Sequence, residues 1–209
     1  MKLAVVIPTR GLVHSRTLEA VMREASTVDL EWTIFWAHSR PIPECYNEPI
    51  KAALDQDCDF VWIVEEDMQL PEGILAELLK ALFQGHHFAA ADYPVKADGT
   101  LCVARDEAGL VRHTGTGCLL GWGAAFETAG PFTTDYQFEI KNGQWVKQEV
   151  GRFDKARQYG GHDVEFGMRQ YESGNPIHVV GTRCGQYRVA RTAEPNRNKD
   201  GWHDIEVWE

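Results

Sequence analysis

The sequence predicts an α/β fold, a sheet with helices on both faces. Three observations carry that prediction. Apolar, β-branched runs of strand length recur through the first half, stretches with helical spacing follow them, and polar or proline-containing turns separate the two. The run "KLAVVIP" (2–8), closed by Pro8, reads as a buried parallel strand. Thr9, Arg10 and Gly11 make the turn, and "SRTLEAVMREAS" places Leu18, Val21, Met22 and Ala25 at helical spacing. "EWTIFWAH" (31–38) is the second strand, and "RPIPECYNEPIKAALDQ" is a loop feeding a helix. "DFVWIV" (59–64) is the third strand. Pro71 and Glu72 suit the first turn of the next helix, which turns Ile74, Leu75, Leu78, Leu79 and Leu82 to one side and stops at Gly85.

The second half is richer in turns. "FAAADYPVK" is a short strand, and "DGTLCVARDEAGLVRHTGTGCLLGW" reads as strands joined by turns. "YQFEIKNGQWVKQ" (136–148) carries Asn142–Gly143 between β-rich arms, a hairpin signal. "DVEFGMRQYESGNP" (163–176) is a helix ending near Gly174, "IHVVG" (177–181) is one more strand, and the tail is polar and weakly patterned. The expected organisation is one domain over 1–209. It divides into a first half (1–92), a second half (93–183) and a C-terminal tail (184–209).

At 209 residues, with 44% hydrophobic and 25% charged residues, the composition is that of an ordinary globular protein. A formal charge of −10 disfavours non-specific binding to nucleic acid or to an anionic membrane. A local basic group (Arg183, Arg188, Arg191, Arg197, Lys199) reads equally as a solvated tail, so a nucleic-acid acceptor is not favoured but is not ruled out. The five cysteines contain no CxxC pair, which fits a reducing compartment. No apolar run is long enough to span a membrane, and the first residues do not form a signal peptide. The expected location is cytoplasmic. Nothing in the sequence bears on oligomeric state.

The chemistry gathers at one point. The third strand ends on Glu65, Glu66 and Asp67. Carboxylates so close repel and raise one another's pKa unless a cation joins them. Ligands of such sheets bind at the carboxyl ends of the strands, where Thr9–Arg10, His38–Arg40 and Glu65–Asp67 all fall. Two carboxylates at i and i+2 suffice to hold Mg²⁺ or Mn²⁺ when a diphosphate supplies the remaining oxygens. The same triplet also reads as an acidic helix start that favours the helix dipole.

Together, "AVVIPTRG", "YNEPIKAALDQDCDFVWIVEEDMQLPEGILAELLKAL", "GTGCLLGWGAAFETAGPF" and "GGHDVEFGMRQYESGNPIHVV" resemble family 2-type glycosyltransferases of the GT-A fold, over about residues 2–183. The resemblance implies a Rossmann-like mixed sheet flanked by helices, with a nucleotide-sugar-binding half (1–92) and an acceptor and catalytic half (93–183) to which the hairpin is added. It also implies a metal-dependent enzyme that moves a sugar from a nucleotide-diphosphate donor, a UDP-sugar foremost, to an acceptor hydroxyl, with inversion. Glu65 and Asp67 fall on the first and last positions of the family's D-x-D motif, with Glu66 between them and Glu65 departing from the usual Asp. Asp67 is thereby the direct metal ligand, with Glu65 a second ligand or a ribose contact. Pro8, Thr9 and Arg10 fall where the first strand meets the nucleotide, and Asn47 matches an asparagine near the nucleotide or sugar. Asp163 aligns with the general base, next to His162, an alternative base that replaces the usual Glu. Some members add a late histidine to the metal shell. His203 is the candidate here, and Gln186 also falls at a suitable place.

Three features read two ways. Gly115, Gly117, Gly121 and Gly123 either let the backbone approach a sugar or serve tight turns. Trp122 either stacks on a sugar or packs in the core. Asp163 either takes a proton or caps its helix. "HTGTG" lacks the Lys-Ser/Thr ending of a phosphate loop. The alternatives to a glycosyltransferase are a nucleotidyltransferase and an inactive nucleotide- or glycan-binding module. The first of these calls for a glycine-rich, basic first loop, whereas "PTRGLVHSR" offers Arg10 and Arg16 but little glycine.

Overall fold

The computed structural model describes residues 1–9, 13–37, 42–94, 99–134, 136–141, 144–149, 161–191 and 205–208. Arg10, His38–Arg40, Arg197, Lys199 and His203, all singled out from the sequence, lie outside them.

The first half folds as its pattern predicts. Strand β1 (Lys2–Pro8) leads to helix α1 (Ser15–Thr27), β2 (Glu31–Ala37), α2 (Glu44–Leu54) and β3 (Phe60–Val64). β1 lies between β2 and β3, parallel to both. Side chains alternate across the sheet as strand geometry requires. Leu3, Val5 and Ile7 of β1 join Phe60, Trp62 and Val64 of β3 in one core, under α1 and helix α3 (Ile74–Phe83). Ala4, Val6, Val61 and Ile63 face the second core, under α2, α4 (Gly123–Ala129) and α5 (His162–Glu172). Helices therefore cover both faces.

The sheet is completed by β5 (Phe88–Ala90), β8 (Cys118–Trp122) and β11 (His178–Val179) in the order β11-β5-β8-β3-β1-β2. β8 is antiparallel to both of its neighbours, which makes the sheet mixed. Its direction places Trp122 beside Phe60, at the opposite end of β3 from the carboxylates. Trp122 packs there on Phe60 and Phe83, so its role is packing and not sugar stacking.

Smaller pairings lie outside the main sheet. β4 (Met68–Gln69) pairs with β12 (Gly185–Gln186), and β6 (Ala104–Arg105) with β7 (Val111–His113). The predicted hairpin forms from β9 (Tyr136–Lys141) and β10 (Gln144–Glu149), and β13 (Arg188–Arg191) pairs with β14 (Ile205–Trp208).

Several boundaries differ from the sequence expectation. α3 begins at Ile74, not at Pro71, because Gly73 takes the left-handed conformation (φ 79°), which no helical residue adopts. One amide of the first turn, Leu75 N–H, donates to the buried Glu24 carboxylate of α1. β5 ends at Ala90 because the buried Asp92 carboxylate accepts the amides of Tyr93, Cys102 and Val103 and turns the chain away. α4 and β4 have no counterpart in the expectation, and the weakly patterned tail contributes β12, β13 and β14. Among the described residues no helix is long and apolar enough to cross a membrane, and all five cysteines are free.

Candidate active site at the carboxylate rim

β1, β2, β3 and β5 all end on the same rim. β8 begins there because it runs the other way, so Gly115–Thr116–Gly117 arrives beside the acidic turn. Glu65 N–H donates to Gly117 O (2.9 Å), and Met68 N–H closes the turn on Glu65 O (3.2 Å). The next three carbonyls are each held from elsewhere. Glu66 O accepts from His14 N–H, Asp67 O from Tyr187 N–H (2.7 Å), and Met68 O from the Thr17 hydroxyl (2.8 Å). With its backbone pinned by α1 on one side and the C-terminal segment on the other, the turn has a fixed shape.

Glu65 turns inward. One of its carboxylate oxygens accepts from the Tyr46 hydroxyl (2.7 Å) and from the Thr116 hydroxyl (2.9 Å). Thr116 has one proton to give, so its oxygen accepts from the Nε2–H of His162 at 3.3 Å when Glu65 is ionised. The imidazole lies between the rings of Tyr46 (centroids 4.4 Å apart) and Phe132 (5.8 Å). Burial pushes the His162 pKa down, opposed by the charge of Asp163, so the ring is neutral near pH 7.

Asp67 stays at the rim, half-buried, and its Oδ2 accepts from the side-chain amide of Gln186 (3.1 Å). Asp163, in the first turn of α5, is also half-buried, and its Oδ1 accepts from Val164 N–H (2.8 Å). The cap position of α5 is Gly161, with no side-chain capping bond, so the capping role considered for Asp163 is not the one it takes. Burial raises the Glu65 pKa to about 7; the hydroxyls of Tyr46 and Thr116 lower it, and the charges of Asp67 and Asp163 raise it. Three carboxylates thus share one electrostatic neighbourhood. Burial also raises Tyr93, with Glu65 and Asp163 contributing, and raises Cys102 to about 12.

Pro8 and Thr9 end β1 at this rim, with Thr9 buried. Glu66 is half-buried in the turn. The Asn47 amide is spent on one partner, donating to Phe132 O (2.9 Å) and accepting from Phe132 N–H (2.8 Å). That pair fixes the "GPF" turn against α2. The glycines ahead of β8 are packing positions. A Cβ at Gly115 would lie 2.1 Å from the Tyr93 hydroxyl, and one at Gly117 2.6 Å from the Met68 sulfur.

Among the described residues no three His, Cys, Asp or Glu side chains converge to enclose a metal. The donor set fits a hard cation held by one rim carboxylate together with a ligand's phosphate oxygens. It does not fit a cage of protein atoms. Asp67, half-buried at the rim, is the carboxylate that would hold the cation.

Sequence reasoning missed Tyr46, Thr116, Tyr93 and Cys102. Tyr46 was within reach: it adjoins Asn47 on the apolar stripe of α2, where a hydroxyl needs a buried acceptor. Thr116 reaches the site only because β8 is antiparallel, which no local pattern reveals.

Glu65 gives the fold a defined pH response. Between the ordinary carboxylate value near 4.5 and about 7, the folded chain holds a proton that the unfolded chain has lost. Stability from this group is present below pH 4.5 and lost as pH rises through 7. Glu65→Gln is expected to melt with the wild type at pH 4 and above it at pH 8, in thermal scans across that range. Equal melting at pH 8 would show that ionising Glu65 in place carries no cost.

No protein-family model matches the sequence, and no curated protein matches it. Solved structures do. A197 from STIV superposes with a TM-score of 0.58 at 18% identity, over 91% of this chain and 86% of its own. CMP:2-keto-3-deoxy-manno-octonic acid synthetase, complexed with CTP, gives 0.50 at 7% identity, over 86% and 88%. 4-Diphosphocytidyl-2C-methyl-D-erythritol synthase from Anaerococcus prevotii gives 0.43 at 9%, over 89% of each chain, too slight to argue from. At these identities the likeness is one of fold: a Rossmann-like mixed α/β sheet flanked by helices, as the sequence predicts.

Proposed function

We propose that this chain is a nucleotide-dependent transferase that moves a sugar from a nucleotide-diphosphate donor, a UDP-sugar, to an acceptor hydroxyl. The observation that carries the reading is the gathering of Asp67, Glu65 and Asp163, from two separate parts of the chain, at the carboxyl ends of the strands. Asp163 takes the proton of the acceptor hydroxyl as that oxygen attacks the anomeric carbon; the glycosidic bond to the diphosphate breaks, and the nucleoside diphosphate leaves with the electron pair. Attack from the face opposite the leaving group inverts the anomeric centre. Asp67 would hold Mg²⁺ or Mn²⁺, which when bound stabilises the charge on the departing diphosphate. The Glu65–Thr116–His162 chain of hydrogen bonds sets the entry to α5 and hence the position of Asp163.

Nucleotidyl transfer is the second reading, and the comparisons favour it: one of the solved structures of this fold is a synthetase bound to CTP. In that chemistry a nucleoside triphosphate gives up its nucleotidyl group and pyrophosphate is released. A rim that gathers three carboxylates is poorly suited to gripping a triphosphate without a metal to bridge the like charges.

Product analysis separates the two. The chain is incubated with Mn²⁺ and a panel of UDP-sugars, water serving as the surrogate acceptor, and in parallel with CTP or UTP and free sugars. Release of UDP without pyrophosphate is the expected result. Pyrophosphate release with formation of a nucleotide-sugar would overturn glycosyl transfer in favour of the second reading. Tight nucleotide binding with neither product would make the chain a binding module.

A further inference from the structure

We infer that Gln186 is a positioning residue: it orients the Asp67 carboxylate toward the cation and diphosphate, and as a neutral donor it leaves the charge of Asp67 intact. The inference rests on the nucleotide-dependent reading of the rim.

Residues 184–187 are attached at every step. Cys184 N–H donates to Asp92 O (2.9 Å), β12 pairs with β4, and Tyr187 N–H donates to Asp67 O (2.7 Å). The Tyr187 ring stacks on His14 at 4.0 Å, and the backbone amide of His14 holds Glu66 O. Gly185 lies so close to β4 that a Cβ there would come 2.4 Å from Gln69 Oε1. Gln186 is therefore carried on a braced strand that runs against the acidic turn, and its amide meets Asp67 Oδ2 at 3.1 Å. A hydrogen bond that holds a turn carboxylate in one rotamer lowers the ordering cost of ligand binding. The chemistry of the donor matters too. Lysine or arginine would orient Asp67 equally well but would neutralise it; an amide donates a hydrogen bond and adds no charge. The clasp suits a ligand that arrives as a hard cation with an anionic diphosphate.

The test uses the full chain with MnCl₂ and UDP as probes. Binding is read from the loss of the free-Mn²⁺ electron paramagnetic resonance signal, and fold from thermal melting. Gln186→Ala is expected to weaken Mn²⁺–UDP binding about 10-fold, the lower end of the effect of removing a metal ligand's supporting partner. In UDP-sugar turnover its KM should rise with kcat retained. Gln186→Lys keeps a donor but cancels charge, and is expected to bind at least as poorly as Gln186→Ala while melting like the wild type. If Asp67→Ala loses binding while both Gln186 variants bind as the wild type does, the inference is overturned and the reading of the rim stands. Full binding by Gln186→Lys alone would overturn the charge argument. If Asp67→Ala also binds normally, the rim is not the nucleotide site and the reading itself fails. Should Gln186→Ala not fold, the lysine variant decides.

Discussion

Asp163→Asn is expected to lower sugar transfer by about 10²- to 10⁴-fold, the range by which a positioned general base accelerates proton removal. Affinity for the donor nucleotide should stay within about twofold. The substitution suits the geometry. The asparagine side-chain oxygen still accepts from Val164 N–H, so that contact in the first turn of α5 is kept. Only the ability to take a proton is lost. Steady-state kinetics, with donor affinity measured by calorimetry, checks this. Unimpaired turnover would move the base elsewhere, with His162 the nearest candidate, on the same helix start.

Asp67→Ala is expected to remove the cation-dependent part of nucleotide affinity, a loss of about 100-fold or more. Even the supporting partners of metal ligands are worth 10- to 100-fold. The fold should not suffer. Asp67 raises the Glu65 pKa, so its removal relieves a repulsion that the folded chain carries at neutral pH. Calorimetry with UDP, with and without Mn²⁺, reads the first effect, and thermal melting reads the second. Undiminished Mn²⁺-dependent affinity in this variant would remove the ground for a metal-assisted transferase.

The half of the fold that could be read in the sequence is the half made by local rules. β1, α1, β2, α2 and β3 follow from apolar runs of strand length and from stripes at helical spacing, and each boundary falls within a residue or two of its signal. The acidic turn and the start of α5 were legible for the same reason, since both sit where one element hands over to the next. Thr116 and the true place of Trp122 were not, because each depends on which strand pairs with which and in what direction. Two-residue strands such as β4 and β12 leave no periodic trace at all. Asn47 shows the remaining gap. Its residue type marks a polar contact, but only the structure reveals that both ends of its amide are taken by Phe132.

The late arrival of β8 bears on how the chain is made. β3 is complete some 55 residues before its partner strand leaves the ribosome, an interval of roughly 3 to 11 seconds at ordinary translation rates. Throughout that time one side of the nascent Phe60–Val64 segment has no neighbour, and β5 waits for the same partner. Such exposed backbone invites pairing with other chains. The strand that joins the two halves of the sheet therefore also ends the period in which an unfinished polypeptide is most prone to aggregate and most in need of a chaperone.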